Sequence, residues 1–246
     1  MSPVGSPFDA LVDAYDAGRP SYPAQLYDAI ERLGHPLRGA DVIEIGAGTG
    51  IATRALSERG ARVVAVDIGE QMLRRLRART PESPVAIATA EALPFAEHTA
   101  DLVCAAQAWH WVNVDYGAPE VRRVLRRGGA LAVWWNNVVA DGEPWFEAQQ
   151  ARLEAMNPSY SRDYRSAPAD EPLARYFANI DVFTARWSRT LSLSDYLVWL
   201  RSKSYVAAIG EYLEEFLAEE DASLRRAFPD GDIVEPFEVR LVVARN

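Results

Sequence analysis

The chain has 246 residues, of which 49% are hydrophobic and 25% charged, and it carries a net charge of −9 at pH 7. This acidic balance argues against nucleic-acid binding through the phosphate backbone and against anionic membranes as partners. The single cysteine, Cys104, excludes an intramolecular disulfide and a cysteine-based zinc site, and we expect no metal. The start of the sequence lacks the basic and apolar segments of a signal peptide. No apolar run approaches the ~20 residues that a membrane span needs, so we expect a cytoplasmic protein.

Up to residue 140, short apolar runs alternate with segments of helical pattern. The predicted strands are residues 41–45, 62–66, 85–89, 101–106 and 130–135. The predicted helices are residues 21–34, 49–59, 69–79 and 116–127. Continuous apolar strands separated by helices indicate parallel strands buried on both faces. Right-handed crossovers then give a doubly wound α/β sheet.

The pattern changes beyond residue 140. A helix at 144–156 is followed by a polar, proline-punctuated loop, a strand at 182–192, a helical block and a last strand at 236–244. We expect the helical block to cap the carboxyl ends of the sheet, where ligands bind in such folds. The predicted parts of this one capped domain are a lid helix with the nucleotide-binding core (1–140), a late helix, loop and strand (141–192), the cap (193–227) and the final strand of the core (228–246).

The stretch VIEIGAGTG at residues 42–50 places Gly46, Gly48 and Gly50 directly after the first strand. Glycines permit a sharp turn and close approach of the backbone to a ligand. The dinucleotide fingerprint G-x-G-x-x-G would require a third glycine at Ile51. Glu44 would also repel a diphosphate, whereas it suits a ligand with a cationic end such as S-adenosylmethionine.

An acidic residue follows at the interval that a nucleotide-like ligand needs. Asp67 closes the second strand, where a carboxylate accepts hydrogen bonds from ribose hydroxyls. The glycine turn, Glu44 and Asp67 together favour a ligand site over a purely structural turn.

At this point the sequence resembles the class I S-adenosylmethionine-dependent methyltransferases. EIGAGTG is similar to their E/D-x-G-x-G-x-G motif, and DIGEQM at Asp67–Met72 is similar to their D-x-S-x-x-M segment. The resemblance implies a seven-stranded, mostly parallel Rossmann-like sheet with an antiparallel last strand. It also implies that Asp67 holds the ribose, that Ile68 lies against the adenine and that Met72 belongs to the donor site. TAEALPF at 89–95 is similar to the loop at the adenine edge, where Ala90 and Glu91 are the candidates.

A narrower resemblance is to the methyltransferase type 11 group, which includes enzymes like trans-aconitate methyltransferase. Two segments carry it: YDAGRPSYP at 15–23 and QAWHW at 107–111, and the similarity covers most of residues 8–135. It indicates an N-terminal lid that contains Tyr15, Arg19 and Tyr22, with Tyr15 and Arg19 expected at the donor and Tyr22 at the substrate. Because a guanidinium binds carboxylates bidentately, Arg19 could pair with the carboxylate of the donor or with that of an acidic substrate. Gln107 is expected near the methionine part of the donor.

His110 is the candidate catalytic residue. Methyl transfer from a sulfonium is an in-line displacement, so the protein mainly aligns the reactants, and a base is needed only when the nucleophile must lose a proton. His110 could be that base, a donor that orients the substrate, or a ring packed between Trp109 and Trp111. The residues predicted to contact the substrate are Tyr22, Trp109, Trp111, Trp134, Arg201 and Tyr205.

The sequence favours S-adenosylmethionine-dependent methyl transfer to a small molecule by a monomer or homodimer. O-methylation of a carboxylate or hydroxyl group is the leading reaction. Alternatives are N- or C-methylation of a natural product, a nucleotide-dependent oxidoreductase and a non-catalytic sensor of the donor. The basic faces of the helices at 69–79 and 116–127 are interpreted as solvated surfaces rather than as nucleic-acid sites.

Overall fold

The computed structural model describes residues 19–140, 142–160 and 170–246. The strands among these residues are β1 (Asp41–Ile45), β2 (Arg62–Asp67), β3 (Val85–Ile87), β4 (Ala100–Ala106), β5 (Leu125–Val138), β6 (Asn179–Ser192) and β7 (Asp232–Arg245). The helices are α1 (Ala24–Leu33), α2 (Ile51–Glu58), α3 (Glu70–Arg79), α4 (Val114–Val124), α5 (Pro144–Met156), α6 (Asp170–Leu173), α7 (Leu193–Arg201), α8 (Ser204–Ala207) and α9 (Leu213–Ala227), with 3-10 turns at Trp109–Trp111 and Gly210–Tyr212.

The strands form one mixed sheet in the order β3-β2-β1-β4-β5-β7-β6. The pairs from β3 to β5 are parallel, and β7 is antiparallel to both β5 and β6. This arrangement confirms the predicted doubly wound sheet with an antiparallel last strand. Because the chain crosses from β3 to β4 on the far side of β1, the strand order reverses at β1, and ligands bind at the carboxyl ends of strands at such a point.

The predicted boundary between the fourth helix and the fifth strand is wrong. The helix expected over residues 116–127 ends at Val124, and Leu125 already begins β5. Arg126 therefore lies on a strand rather than on a solvated helix face. Its guanidinium pairs with Asp41 at 2.9 Å and with Asp101 at 2.8 Å, next to the starts of β1 and β4. These two carboxylates hold the start of β5 beside its neighbours.

The described residues divide into two compact units. The first, here called the sheet unit, contains the described parts of Ser21–Asn136, Ala167–Ala185 and Glu238–Asn246. The second, here called the helical unit, contains the described parts of Asn137–Ser166 and Arg186–Phe237, together with Arg19 and Pro20. The predicted placement of residues 193–227 as a cap stays a prediction.

The sheet unit has an apolar layer on each face of the sheet. Side chains alternate along β1, so that Ile43 and Ile45 join the layer under α4, whereas Val42 joins the layer under α1 and α2. At about 25 cal/mol per Å² of buried apolar surface, these two layers dominate the stability of the unit. Since these layers cover the two faces of the sheet, the loops at the carboxyl ends of the strands are the part of the unit that can form a ligand site.

The helical unit has its own apolar cluster, which joins α5, α7 and α9 through side chains such as Leu153, Tyr196 and Phe216. Glu220 is fully buried in this unit, and it accepts hydrogen bonds from Gln149 at 3.0 Å and from Arg152 at 2.5 Å. These bonds compensate the cost of burying the carboxylate. None of the helices that the structure describes is long and apolar enough to cross a membrane.

Candidate active site

The glycine loop after β1 is shaped by two different demands. Gly46 and Gly48 both have left-handed backbone, with φ of +67° and +56°. A Cβ on Gly46 would collide with the Cβ of Ala108, whereas a Cβ on Gly48 would meet nothing within 4 Å. Gly46 thus allows two loops of the protein to pack together. Gly48 leaves exposed backbone that a ligand can approach closely.

Asp67 fastens this loop to the end of β2. Its carboxylate accepts hydrogen bonds from the backbone N–H of Gly48 at 2.8 Å and of Gly69 at 2.7 Å. A carboxylate has about four acceptor positions, so two N–H donors leave capacity for hydroxyl groups of a ligand. The structure therefore brings the predicted ribose residue and the predicted glycine loop together.

Apolar side chains stand at the same edge of the sheet. Ile68 follows Asp67 and is 74% exposed, and Ile87 at the end of β3 is 62% exposed. Met72 lies near Gly69 in the first turn of α3. Exposed branched side chains at the ends of two neighbouring strands suit the flat faces of an adenine. The sequence predicted Ile68 and Met72 as donor-site residues but not Ile87. Ile87 could have been predicted from its position as the last residue of a short apolar strand.

Glu44 lies on β1, two residues before the glycine loop begins at Gly46. Its side chain is buried and accepts a hydrogen bond from the Thr53 hydroxyl on α2 at 2.5 Å. Burial raises the pKa of this carboxyl to about 8, against the opposing effect of the Thr53 hydrogen bond. Glu44 is therefore mostly protonated near neutral pH, and its contact with a cationic ligand stays a prediction.

The loop after β3 contains the two residues expected at the adenine edge. Ala90 is buried and packs in the layer under α4. The carboxylate of Glu91 accepts a hydrogen bond from the backbone N–H of Asn113 at 2.8 Å, just before α4. This bond ties the loop to the start of α4, and the contact of either residue with a ligand stays a prediction.

The turn after β4 is anchored on β5 by Gln107, which has left-handed backbone with φ of +57°. Its backbone N–H donates to the carbonyl of Trp134 at 2.9 Å, and its carboxamide donates to the carbonyl of Asn136 at 3.0 Å. Left-handed backbone at a residue other than glycine is strained and persists where the surroundings enforce it. The side chain of Gln107 thus fixes the turn, and the next residue, Ala108, abuts Gly46.

His110 follows on the 3-10 turn, with an exposed side chain beside two tryptophans. The indole N–H of Trp135 donates to Nδ1 of His110 at 3.3 Å, and the Trp111 ring centroid lies 4.9 Å from the imidazole centroid. Partial burial of the ring lowers the pKa of His110 from its ordinary value of 6.5. The imidazole is therefore predominantly neutral at neutral pH. The alternation of Trp134 and Trp135 along β5 predicts that one of them lines the pocket while the other packs under a helix, and of the two the sequence prediction chose Trp134.

Two predicted substrate residues belong to the core instead. Trp134 has 0% exposure and packs in the layer under α1 and α2, where the Tyr22 ring meets it edge-on at 5.7 Å. Trp109 is also buried, in the opposite layer. The strand and the 3-10 turn direct these two rings into the apolar layers that cover the two faces of the sheet. Trp111 is the exposed member of the set, at 77%.

A family model described as a methyltransferase domain matches residues 43–133. The match runs from β1 to β5 and contains the glycine loop, Asp67 and His110. Residues 43–133 are therefore similar to a methyltransferase domain, and we call this range the methyltransferase domain.

The sequence similarity to known proteins extends over more residues than the match to the family model. An uncharacterized methyltransferase of Mycobacterium tuberculosis is 46% identical over 129 residues, which are 52% of this chain and 51% of that protein. A malonyl-acyl-carrier protein O-methyltransferase of Methylococcus capsulatus is 36% identical over 138 residues, which are 52% of this chain and 50% of that protein. The chain thus spans about half the length of these curated relatives. A solved structure from Anaeromyxobacter dehalogenans, assigned to the type II methyltransferases, has a TM-score of 0.73 and 27% identity and covers 92% of this chain and 97% of that one.

The remaining predicted site residues lie outside the methyltransferase domain. Tyr15 lies outside the described residues, and Arg19 groups with the helical unit. Arg201 pairs with Glu214 at 2.6 Å, and the Tyr205 ring lies 4.9 Å from that of Tyr160. Both contacts are internal to the helical unit, so the predicted roles of Arg201 and Tyr205 toward a substrate stay predictions.

Proposed function

We propose that the protein transfers a methyl group from S-adenosylmethionine to a small-molecule acceptor. The observation that carries this proposal is the open backbone at Gly48 beside the Asp67 carboxylate, at the switch point of the sheet. An open glycine loop and a carboxylate at the end of the next strand form a cradle for an adenosine with a charged tail. When bound, S-adenosylmethionine supplies a methyl group that is already activated on a sulfonium.

Different residues of the methyltransferase domain would contact different parts of the donor. Asp67 would accept hydrogen bonds from the ribose hydroxyls with the acceptor capacity that Gly48 and Gly69 leave. Ile68 and Ile87 would cover the adenine with their exposed side chains. The backbone at Gly48 would admit the methionine part at close range. Binding both ends on a preformed frame aligns the methyl group, which provides most of the rate in such a displacement.

For the acceptor, we propose oxygen methylation of a carboxylate or hydroxyl group of a metabolite. The 36% identical relative is named as an O-methyltransferase, which supports oxygen over nitrogen or carbon. Exposed aromatic side chains at Trp111 and Tyr116 flank the His110 turn and would contact an organic acceptor. Methylation at nitrogen or carbon remains the alternative to be tested.

Calorimetric titration tests the donor assignment. We expect S-adenosylhomocysteine to bind with a dissociation constant in the micromolar range, and we expect NAD and NADP not to bind at the same protein concentration. Binding of a nicotinamide dinucleotide instead would support an oxidoreductase and contradict the proposal.

Turnover with labelled S-adenosylmethionine and a panel of metabolites then tests catalysis. Transfer of label to an oxygen of any small molecule supports the proposal. Tight donor binding without transfer to any acceptor would favour the sensor that the sequence left open.

A further inference from the structure

The contact between Trp135 and His110 determines which nitrogen of the imidazole carries the proton. An indole N–H can only donate a hydrogen bond, so Nδ1 of His110 must be the acceptor of the 3.3 Å bond. In the neutral ring the proton then lies on Nε2. The nitrogen with a free electron pair is engaged with Trp135, and the exposed ring presents an N–H.

We propose that Trp135 is a positioning residue that holds His110 as an Nε2–H donor for an acceptor that is already anionic, a carboxylate. This inference rests on the proposed function and names its substrate class. It decides among the three roles that the sequence left open for His110, in favour of a donor that orients the substrate. Trp135 acts through His110, whereas His110 itself would touch the substrate.

A carboxylate acceptor and a hydroxyl acceptor differ in whether a proton must leave the attacking oxygen. A carboxylate oxygen attacks the methyl carbon, the C–O bond forms as the C–S bond breaks, and the electron pair of the C–S bond stays on sulfur as a neutral thioether. No proton moves in this reaction. A neutral phenol or alcohol must also lose a proton to a base, and the only basic nitrogen of His110 is directed at the indole of Trp135. The Nε2–H can bind one carboxylate oxygen while the other oxygen attacks.

The position of the pair agrees with this role. His110 lies two residues after Ala108, which abuts Gly46 of the glycine loop, and Trp135 directly follows the β5 residue that pairs with the last residue of β4. Both residues are therefore at the carboxyl edge, beside the proposed donor site. Protonation of Nδ1 would remove the electron pair that accepts the hydrogen bond from Trp135. This hydrogen bond therefore favours the neutral imidazole.

Nitrogen-15 spectra of the ring nitrogens in the 246-residue protein test the proton position directly. His98 provides an internal reference, because its Nδ1 lies 2.9 Å from the carbonyl of Leu125, which can only accept, so His98 must carry its proton on Nδ1. We expect the opposite pattern for His110, with Nε2 protonated, and His110→Gln identifies its signals by removing them. A proton on Nδ1 of His110 in the native protein would overturn the proposal, and this outcome requires no substitution of Trp135.

Replacement of the indole tests the positioning role. We expect Trp135→Phe to convert the single His110 pattern into a mixture of both tautomers, with the signals of His98 unchanged as a check on folding. Trp111→Phe is the matched control, because the Trp111 ring lies tilted at 45° beside the same imidazole, and we expect this variant to leave the tautomer unchanged. An unchanged pattern in Trp135→Phe would show that the contact does not select the tautomer.

Rescue by a donor side chain separates a donor from a base. With succinate and fumarate as acceptors, we expect His110→Gln, which retains an N–H, to stay within about tenfold of the native kcat, and we expect His110→Phe to lose about 100-fold or more. Equal loss in both variants overturns the donor role. Transfer to phenol or catechol without transfer to either carboxylate overturns the substrate class. Failure of the protein to bind S-adenosylhomocysteine would overturn the proposed function and leave the tautomer result standing.

Discussion

The glycine loop after β1 and the histidine turn after β4 face the same edge of the sheet, and they are built in different ways. The glycine loop owes its form to backbone, through left-handed φ values at Gly46 and Gly48 and N–H groups held by Asp67. The histidine turn owes its form to side chains, through the carboxamide of Gln107 and the indole of Trp135. A site formed by backbone tolerates few substitutions, whereas a site formed by side chains can change its acceptor while the fold stays the same.

The largest expected effect separates the neighbouring tryptophans of β5. We expect Trp134→Ala to lower the free energy of unfolding by about 3–5 kcal/mol, because a fully buried ring is removed from the layer under α1 and α2. Trp135→Ala should cost less than half as much, since its ring is only partly buried. Urea unfolding followed by circular dichroism measures both. Equal losses would show that Trp135 is a core residue rather than part of the histidine turn.

The glycine loop is tested by a pair of substitutions with matched backbone strain. Gly48→Ala and Gly128→Ala both place a Cβ at left-handed φ, and neither Cβ would meet an atom within 4 Å. We expect similar losses of stability, of about 1–2 kcal/mol. Only Gly48→Ala should weaken S-adenosylhomocysteine binding, by about tenfold to 100-fold, because its methyl group occupies space where the ligand approaches. An equal loss of affinity in Gly128→Ala would contradict a ligand contact at Gly48.

Removal of the Asp67 carboxylate tests the other half of the donor site. Asp67→Ala should weaken S-adenosylhomocysteine binding about tenfold, because it removes acceptors for the ribose and releases the N–H groups of Gly48 and Gly69. Asp28→Ala is the control, since it removes an exposed carboxylate on α1, which pairs with Arg59. Calorimetry measures the dissociation constants. An unchanged affinity in Asp67→Ala would exclude the ribose contact.

The smallest expected effect concerns Glu44 and pH. The folded protein keeps this carboxyl protonated up to a pKa of about 8, whereas the unfolded chain releases the proton near 4.5. The folded state therefore binds more protons between these values, and the contribution of Glu44 to stability falls as the pH rises through this window. Glu44→Gln lacks this dependence. We expect the free energy of unfolding of the native protein to fall by about 1 kcal/mol more than that of the variant between pH 6 and 7. Parallel pH profiles would place the Glu44 pKa outside this window.

The contrast between the two loops also explains how much the sequence could reveal. Continuous apolar runs and glycine spacing predicted the presence of β1 to β5, the turn at Gly46–Gly50 and the position of Asp67, because these depend on local backbone chemistry. The hydrogen bond from Trp135 to His110 joins residues on different elements, so no spacing reveals it. The helix at 116–127 was predicted too long because Leu125 pairs with Ala100 of β4, a contact between distant parts of the chain that a local helical pattern does not show. Trp134 was assigned to the wrong side of β5 because both tryptophans fit either face by composition.

The contact of Ala108 with Gly46 has a consequence for alignment. A Cβ at residue 46 has no room because the methyl group of Ala108, on the turn that leads to His110, lies against the backbone of the proposed donor loop. The Ala108 methyl group therefore sets how closely the proposed donor loop and the histidine turn approach each other. In reactions governed by alignment, a displacement of about 1 Å can cost about 100-fold in rate. Ala108 has no functional group and need not touch either reactant, yet a larger side chain there would change the reaction distance itself.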